Sequence, residues 1–138
     1  AFYRAYFEAA ERLLRPGGRM FLQTITVPDR RFDAYRRGFD FIRKHVFPGG
    51  LLASLHEILG TLRPHTTLEG EWLRDIGPDY ATTLRLWRER FLAQRAEVRR
   101  LGYDERFVRM WEFYLASCEA LFAARAIGDA QLVLRRAG

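Results

Sequence analysis

Cysteine and lysine are nearly absent from this 138-residue chain, which has one of each, Cys118 and Lys44. A single cysteine excludes an intramolecular disulfide and fits a reducing compartment. Cys118 falls on the apolar stripe of a long helical pattern, so it reads as a buried structural thiol. With one lysine, the formal net charge of +6 is carried by arginine, whose guanidinium suits phosphate oxygens. Those arginines are scattered and no recognition motif accompanies them, so nucleic acid is not the expected partner. No run approaches the roughly 18–20 consecutive apolar residues of a membrane-crossing helix, so no transmembrane segment is expected. The Gly-x-Ser-x-Gly elbow of hydrolases is missing, as is a glycine-rich phosphate loop. His45, His56 and His65 lack ligand spacing, and no metal is expected.

What is present is apolar and aromatic: 49% and 14% of residues, enough for the core of one modest domain. The chain opens on Ala1-Phe2-Tyr3, without an initiator Met and already inside an amphipathic pattern, so it is expected to be part of something longer. Phe2, Tyr6, Ala9, Ala10 and Leu13 recur at helical spacing over residues 2–14. Arg15-Pro16-Gly17-Gly18 stops that helix, because proline cannot continue it and glycine supplies a left-handed turn. Met20 to Val27 predicts a largely buried strand. Residues 30–46 predict one amphipathic helix closed by Phe47-Pro48-Gly49-Gly50, and 51–60 a short helix. A second strand is predicted over 66–73, helices over 79–99 and 104–125, and a terminal strand over 130–135. The order suits the second half of an open α/β sheet with an insertion after its first strand.

In such sheets ligands lie outside the carboxyl ends of the strands, which directs attention to Gln23, Thr24, Ile25 and Thr26. The insertion that follows is the natural lid, and Phe32, Tyr35, Phe39, Phe41 and Phe47 give it an apolar lining suited to an apolar substrate. For each aromatic taken singly, core packing is the commoner use. Glu71 and Asp75 in the second strand region are more often solvated than catalytic.

Several segments together resemble the cyclopropane-fatty-acyl-phospholipid synthase and mycolic acid methyltransferase family. They are Leu14-Arg15-Pro16-Gly17-Gly18, Leu22-Gln23-Thr24-Ile25, Phe41 through Gly50, Asp79-Tyr80-Ala81-Thr82-Thr83-Leu84, and Arg109 through Leu115. They run over the whole chain in family order. The resemblance implies an α/β fold, the C-terminal half of a Rossmann-like S-adenosylmethionine-dependent methyltransferase sheet with a helical lid insertion at 28–65. Residues 1–138 would then be the C-terminal part of a single methyltransferase domain, with the cofactor-binding half, and so the contacts to S-adenosylmethionine, upstream of residue 1.

The implied reaction transfers the sulfonium methyl to a cis double bond of a phospholipid acyl chain, and proton loss from the resulting cation closes a cyclopropane. A weak alkene nucleophile has to be aligned in a dry pocket, and the cation needs π-faces and a base that does not trap it. Family members hold bicarbonate as that base. Carried onto this chain, its ligands are Tyr80, the backbone of Ile25, and Gln23 where the family has histidine. Glutamine donates a hydrogen bond but cannot share a proton or become cationic, so a methyl- or methylene-branched product stays open beside the ring. Glu71 falls at an acidic position near the family's active site, and Phe39, Phe47, Pro48, Gly49 and Gly50 would shape the substrate-binding lid. The expected partner is an unsaturated phospholipid at the inner face of the membrane, met by a cytoplasmic, peripherally associated protein; a homodimer is compatible. Two other readings remain: a small-molecule amine N-methyltransferase of the same superfamily, and a fragment that is non-catalytic by itself.

Overall fold

A computed structural model describes residues 2–138. The chain runs α1 (Tyr3–Leu13), β1 (Arg19–Thr26), α2 (Asp29–Arg37), α3 (Phe41–His45), α4 (Leu55–His65), β2 (Leu68–Asp75), α5 (Gly77–Ala93), α6 (Arg95–Arg100), α7 (Glu105–Ala123) and β3 (Gly128–Arg136). It divides into two compact units. The first holds the chain up to Gly38, then Leu51–Ile76 and Gly128–Gly138; the second holds Phe39–Gly50 and Gly77–Ile127. Residues 28–65, expected as one lid insertion, are shared between them.

The first unit is built on a three-stranded sheet of order β1-β3-β2. The last strand inserts between the other two and pairs antiparallel with both, so β1 and β2 run in the same direction. Strand alternation sends Met20, Leu22, Leu68, Ala130, Leu132 and Leu134 to one face, where Phe7 of α1 and Ile58 and Leu62 of α4 cover them. Leu134 and Leu132 are at most 1% exposed, and each such burial contributes about 1.5–3 kcal/mol. The helix over this face starts on an N-cap serine. Ser54 Oγ accepts from the Glu57 N–H at 3.4 Å and donates to Asp29 at 2.5 Å. Strand β2, at one edge of the sheet, is exposed beyond Leu68.

Two turns, one in each unit, share one design. Gly18 N–H donates to Arg15 C=O at 2.8 Å, and Gly50 N–H to Phe47 C=O at 2.9 Å. In both, proline precedes a glycine of positive φ, +71° at Gly17 and +81° at Gly49, the order of a type II turn.

In the second unit α5 packs on α7, burying Leu84 against a face that holds Val108, Leu115, Cys118 and Phe122. An Arg88–Glu119 ion pair of 2.9 Å ties the two helices, and Glu105 is paired with Arg95 and Arg99. The helix expected over 30–46 is instead two. Gly38 closes α2 by donating to the Ala34 and Tyr35 carbonyls, and Asp40 opens α3 by accepting from the Arg43 N–H. The helix expected over 79–99 is likewise broken at Gln94.

Candidate functional site

Polar side chains gather where β1 and β2 end and β3 begins. The register sets Gln23 opposite Gln131 and Ile25 opposite Asp129, so all four lie on the sheet face turned away from the core. Gln23 Nε2 donates to Asp129 Oδ2 at 2.9 Å, and Gln131 Nε2 donates to Gln23 Oε1 at 3.1 Å. The Asp129 N–H donates to Asp75 Oδ1 at 3.2 Å, and its carbonyl accepts from the Ile76 N–H at 2.8 Å. Gln23 is exposed, whereas Asp129 is 2% exposed, and its Oδ1 has no hydrogen-bond partner among the described residues. Burial holds the Asp129 carboxyl above its usual range; the Gln23 hydrogen bond opposes that, and the nearby Asp75 adds to it. Gly128 sits tightly here: a Cβ would meet Thr26 Oγ1 at 3.0 Å and Asp75 Oδ1 at 3.3 Å, so those side chains would have to shift.

The backbone of Ile25 is partly committed. Its carbonyl accepts from the Ala53 N–H at 3.3 Å and from Thr24 Oγ1 at 3.3 Å. With the Val27 N–H donating to Ala53 C=O at 2.9 Å, this sets the segment ahead of α4 against the end of β1 as a parallel bridge.

Glu71 is placed differently. Its two oxygens take Arg19 Nε at 2.5 Å and Arg19 Nη2 at 2.8 Å, and that hydrogen-bonded pair holds the carboxyl below its usual range. Arg19 stands four residues before Gln23 on β1, about 13 Å along the strand. The structure therefore separates Glu71 from the Gln23 cluster. Both of its carboxylate oxygens are engaged by Arg19.

A second cluster belongs to the helical unit. Tyr80, near the start of α5, sets its ring edge-on to Phe122 at 5.0 Å and to Trp87 at 6.0 Å. The Phe47 ring meets Tyr114 edge-on at 5.8 Å, and Phe41 meets Phe113 at 4.7 Å. Burial, then the neighbouring Cys118 and Tyr80, push the Tyr114 phenol up to about 12. The turn and Tyr80 thus converge on Tyr114. Burial also pushes the Cys118 thiol up to about 11, which leaves it inert, in line with a structural role. Phe39 and Phe47 remain largely exposed, with the Arg43 guanidinium over the Phe39 ring at 5.9 Å. Pro48, Gly49 and Gly50 form the turn and present backbone more than side chain.

Sequence reasoning singled out Gln23, Ile25, Tyr80 and the Phe47–Gly50 turn but missed Asp129, Gln131 and Tyr114. The signal for the first two was the Asp-x-Gln spacing at the start of the last strand, which reads as turn chemistry until its register is known. Of the other expected lid aromatics, Phe32 is buried in the first unit, and Tyr35 Oη accepts from the Leu52 N–H. Among the described residues no cluster of His, Cys, Asp and Glu is placed to hold a metal, and no helix is long and apolar enough to cross a membrane.

The chain as a whole is similar to several known proteins. The tuberculostearic acid methyltransferase UfaA1 of Mycobacterium tuberculosis is 46% identical over 96% of this chain and 31% of its own length. The cyclopropane-fatty-acyl-phospholipid synthase of Escherichia coli is 39% identical over 97% of this chain and 33% of its own length. The solved structure of mycolic acid cyclopropane synthase CmaA1 complexed with SAH and CTAB superposes with a TM-score of 0.86 at 27% identity, over 98% of this chain and 50% of that one. The fold is thus that of one half of an S-adenosylmethionine-dependent methyltransferase, and the chain spans about a third of the curated relatives it matches. Because the family model described as mycolic acid cyclopropane synthetase matches residues 1–132, this chain belongs to that family.

Proposed function

We propose that this chain is the C-terminal part of an S-adenosylmethionine-dependent methyltransferase that acts on the cis double bond of an unsaturated phospholipid acyl chain. The observation that carries the reading is the 46% and 39% identity, over nearly the whole chain, to proteins named as a tuberculostearic acid methyltransferase and a cyclopropane-fatty-acyl-phospholipid synthase. The likeness to a phosphoethanolamine N-methyltransferase, at 15% identity, supports the fold alone and carries no argument for an amine acceptor.

When bound, S-adenosylmethionine supplies an electrophilic sulfonium methyl. Among the described residues no strand leads through a glycine-rich turn into a helix, so none is assigned to cradle that cofactor. The residues present do other work. Tyr80 is held at a fixed angle by two aromatic rings, as a positioned phenol requires. The Gln23 amide has a second N–H beyond the one given to Asp129, and that hydrogen fits a bicarbonate oxygen or another acceptor. From Ile25 only an N–H can contribute to such an anion, because its carbonyl is itself an acceptor and already engaged. Exposed Phe39 and Phe47, with Lys44 beside them in sequence, suit contact with lipid at a membrane surface.

Gas chromatography of acyl chains from cells expressing the complete gene tests this directly. A ring or a methyl branch should appear at the expense of unsaturated chains; an unchanged lipid profile would sink the proposal. In the full-length protein Tyr80→Phe should lower kcat by about a hundredfold with little change in cofactor affinity. Equal turnover of the two proteins would remove Tyr80 from the chemistry.

A further inference from the structure

We infer that Asp129, aided by Gln131, is the positioning residue for Gln23, fixing which end of its amide a ligand meets. The inference rests on assigning the carboxyl end of β1 to the reaction site.

A glutamine amide has two flip states, and its surroundings choose between them. An ionised carboxylate only accepts, so Asp129 Oδ2 at 2.9 Å draws Nε2 towards itself. Gln131 Nε2, donating to Oε1 at 3.1 Å, holds the other end. The Asp129 clamp is firm. The backbone of Asp129 is pinned to β2 through Asp75 and Ile76, and its side chain is buried while Gln23 is exposed. Facing Asp129 are Gln23 from β1 and Asp75 from β2, with Gln131 two residues along its own strand. Position 23 therefore offers a ligand a donor, the remaining Nε2–H, and the ligand atom it meets is an acceptor. The same carboxylate would stabilise a cation placed at position 23, which glutamine forgoes and an imidazole would use.

The test puts histidine there as a reporter. In full-length Gln23→His protein, NMR titration of the new imidazole should give a pKa about one unit or more above that in the Gln23→His, Asp129→Asn double variant. Equal values would overturn the inference. In the parent background, Asp129→Asn and the milder Gln131→Met should each lower kcat for methyl transfer about ten- to a hundredfold, with KM for S-adenosylmethionine unchanged. Adding either to Gln23→Ala should cause no further loss, whereas losses that multiply would show independent roles and overturn it. If Asp129→Asn fails to fold, Gln131→Met carries the same cycle. If the parent transfers no methyl group, the functional reading fails, and the imidazole titration still decides the clamp.

Discussion

One face of the three-stranded sheet carries Met20, Leu22, Leu68, Ala130, Leu132 and Leu134 beneath two helices; the other carries Phe21, Gln23, Ile25, Asp129 and Gln131. Both faces come from the same three strands, one residue out of phase. The first is apolar and sealed, so its energy comes from area removed from water. The second has apolar Phe21 and Val133 between polar groups, with a carboxylate held at each end. Asp129 is buried and raised; Glu71 is exposed, paired with Arg19 and lowered. The contrast teaches that carboxylates of one small sheet acquire opposite chemistry from burial and partner. An acidic residue at a family-like position is thus no guide to its role until its neighbours are known.

Breaking the sealed face should have the largest effect. Leu134→Ala should cost about 2–5 kcal/mol in urea unfolding, because a fully buried side chain leaves a cavity, while Phe21→Ser should stay within about 0.5 kcal/mol. Equal costs would mean that the two faces are alike. Next comes the cap of the covering helix: Ser54→Ala should cost about 0.5–2 kcal/mol and also release Asp29.

The third comparison is by pH. Asp129 has a raised folded pKa, so the native state binds more protons than the unfolded one, and stability falls as pH climbs from the ordinary carboxylate range through that value. Asp129→Asn should accordingly raise the thermal midpoint at pH 7 and leave it unchanged near pH 3. Asp29 is lowered by the Ser54 hydroxyl and the His56 N–H, so its contribution is present at pH 7 and lost as pH falls through its folded value. Asp29→Asn should lower the midpoint at pH 7 and not in strong acid. Midpoints that shift in the same sense for both variants would refute the assignment. Smallest of all, Glu71→Gln should leave both the thermal midpoint and methyl transfer unchanged; a large loss of activity would return Glu71 to the site.

Much of this was legible before any coordinates. The three strands, the two Pro-Gly-Gly turns, the stripe that buries Cys118 and the long helix over 104–125 follow from period and turn chemistry, which act over a few residues. The break between α2 and α3 was legible in principle, since Gly38 and Asp40 are ordinary stop and start residues, but the aromatic spacing across them masked it. Gln23 and Ile25 were marked first by the carboxyl end of their strand, and Tyr80 by its likeness to a family.

By itself, then, the sequence determined most of the elements and the turns that end them, because those are set by neighbours two to four residues apart, and its motifs along the chain marked the family. The tertiary structure alone decided that the last strand lies between the other two. That single placement carries Asp129 across more than a hundred residues of chain to Gln23 and makes it a buried carboxylate, while Glu71 is left to Arg19. No local pattern encodes such a pairing. It follows from register, which is fixed by which face of each strand the core has to bury.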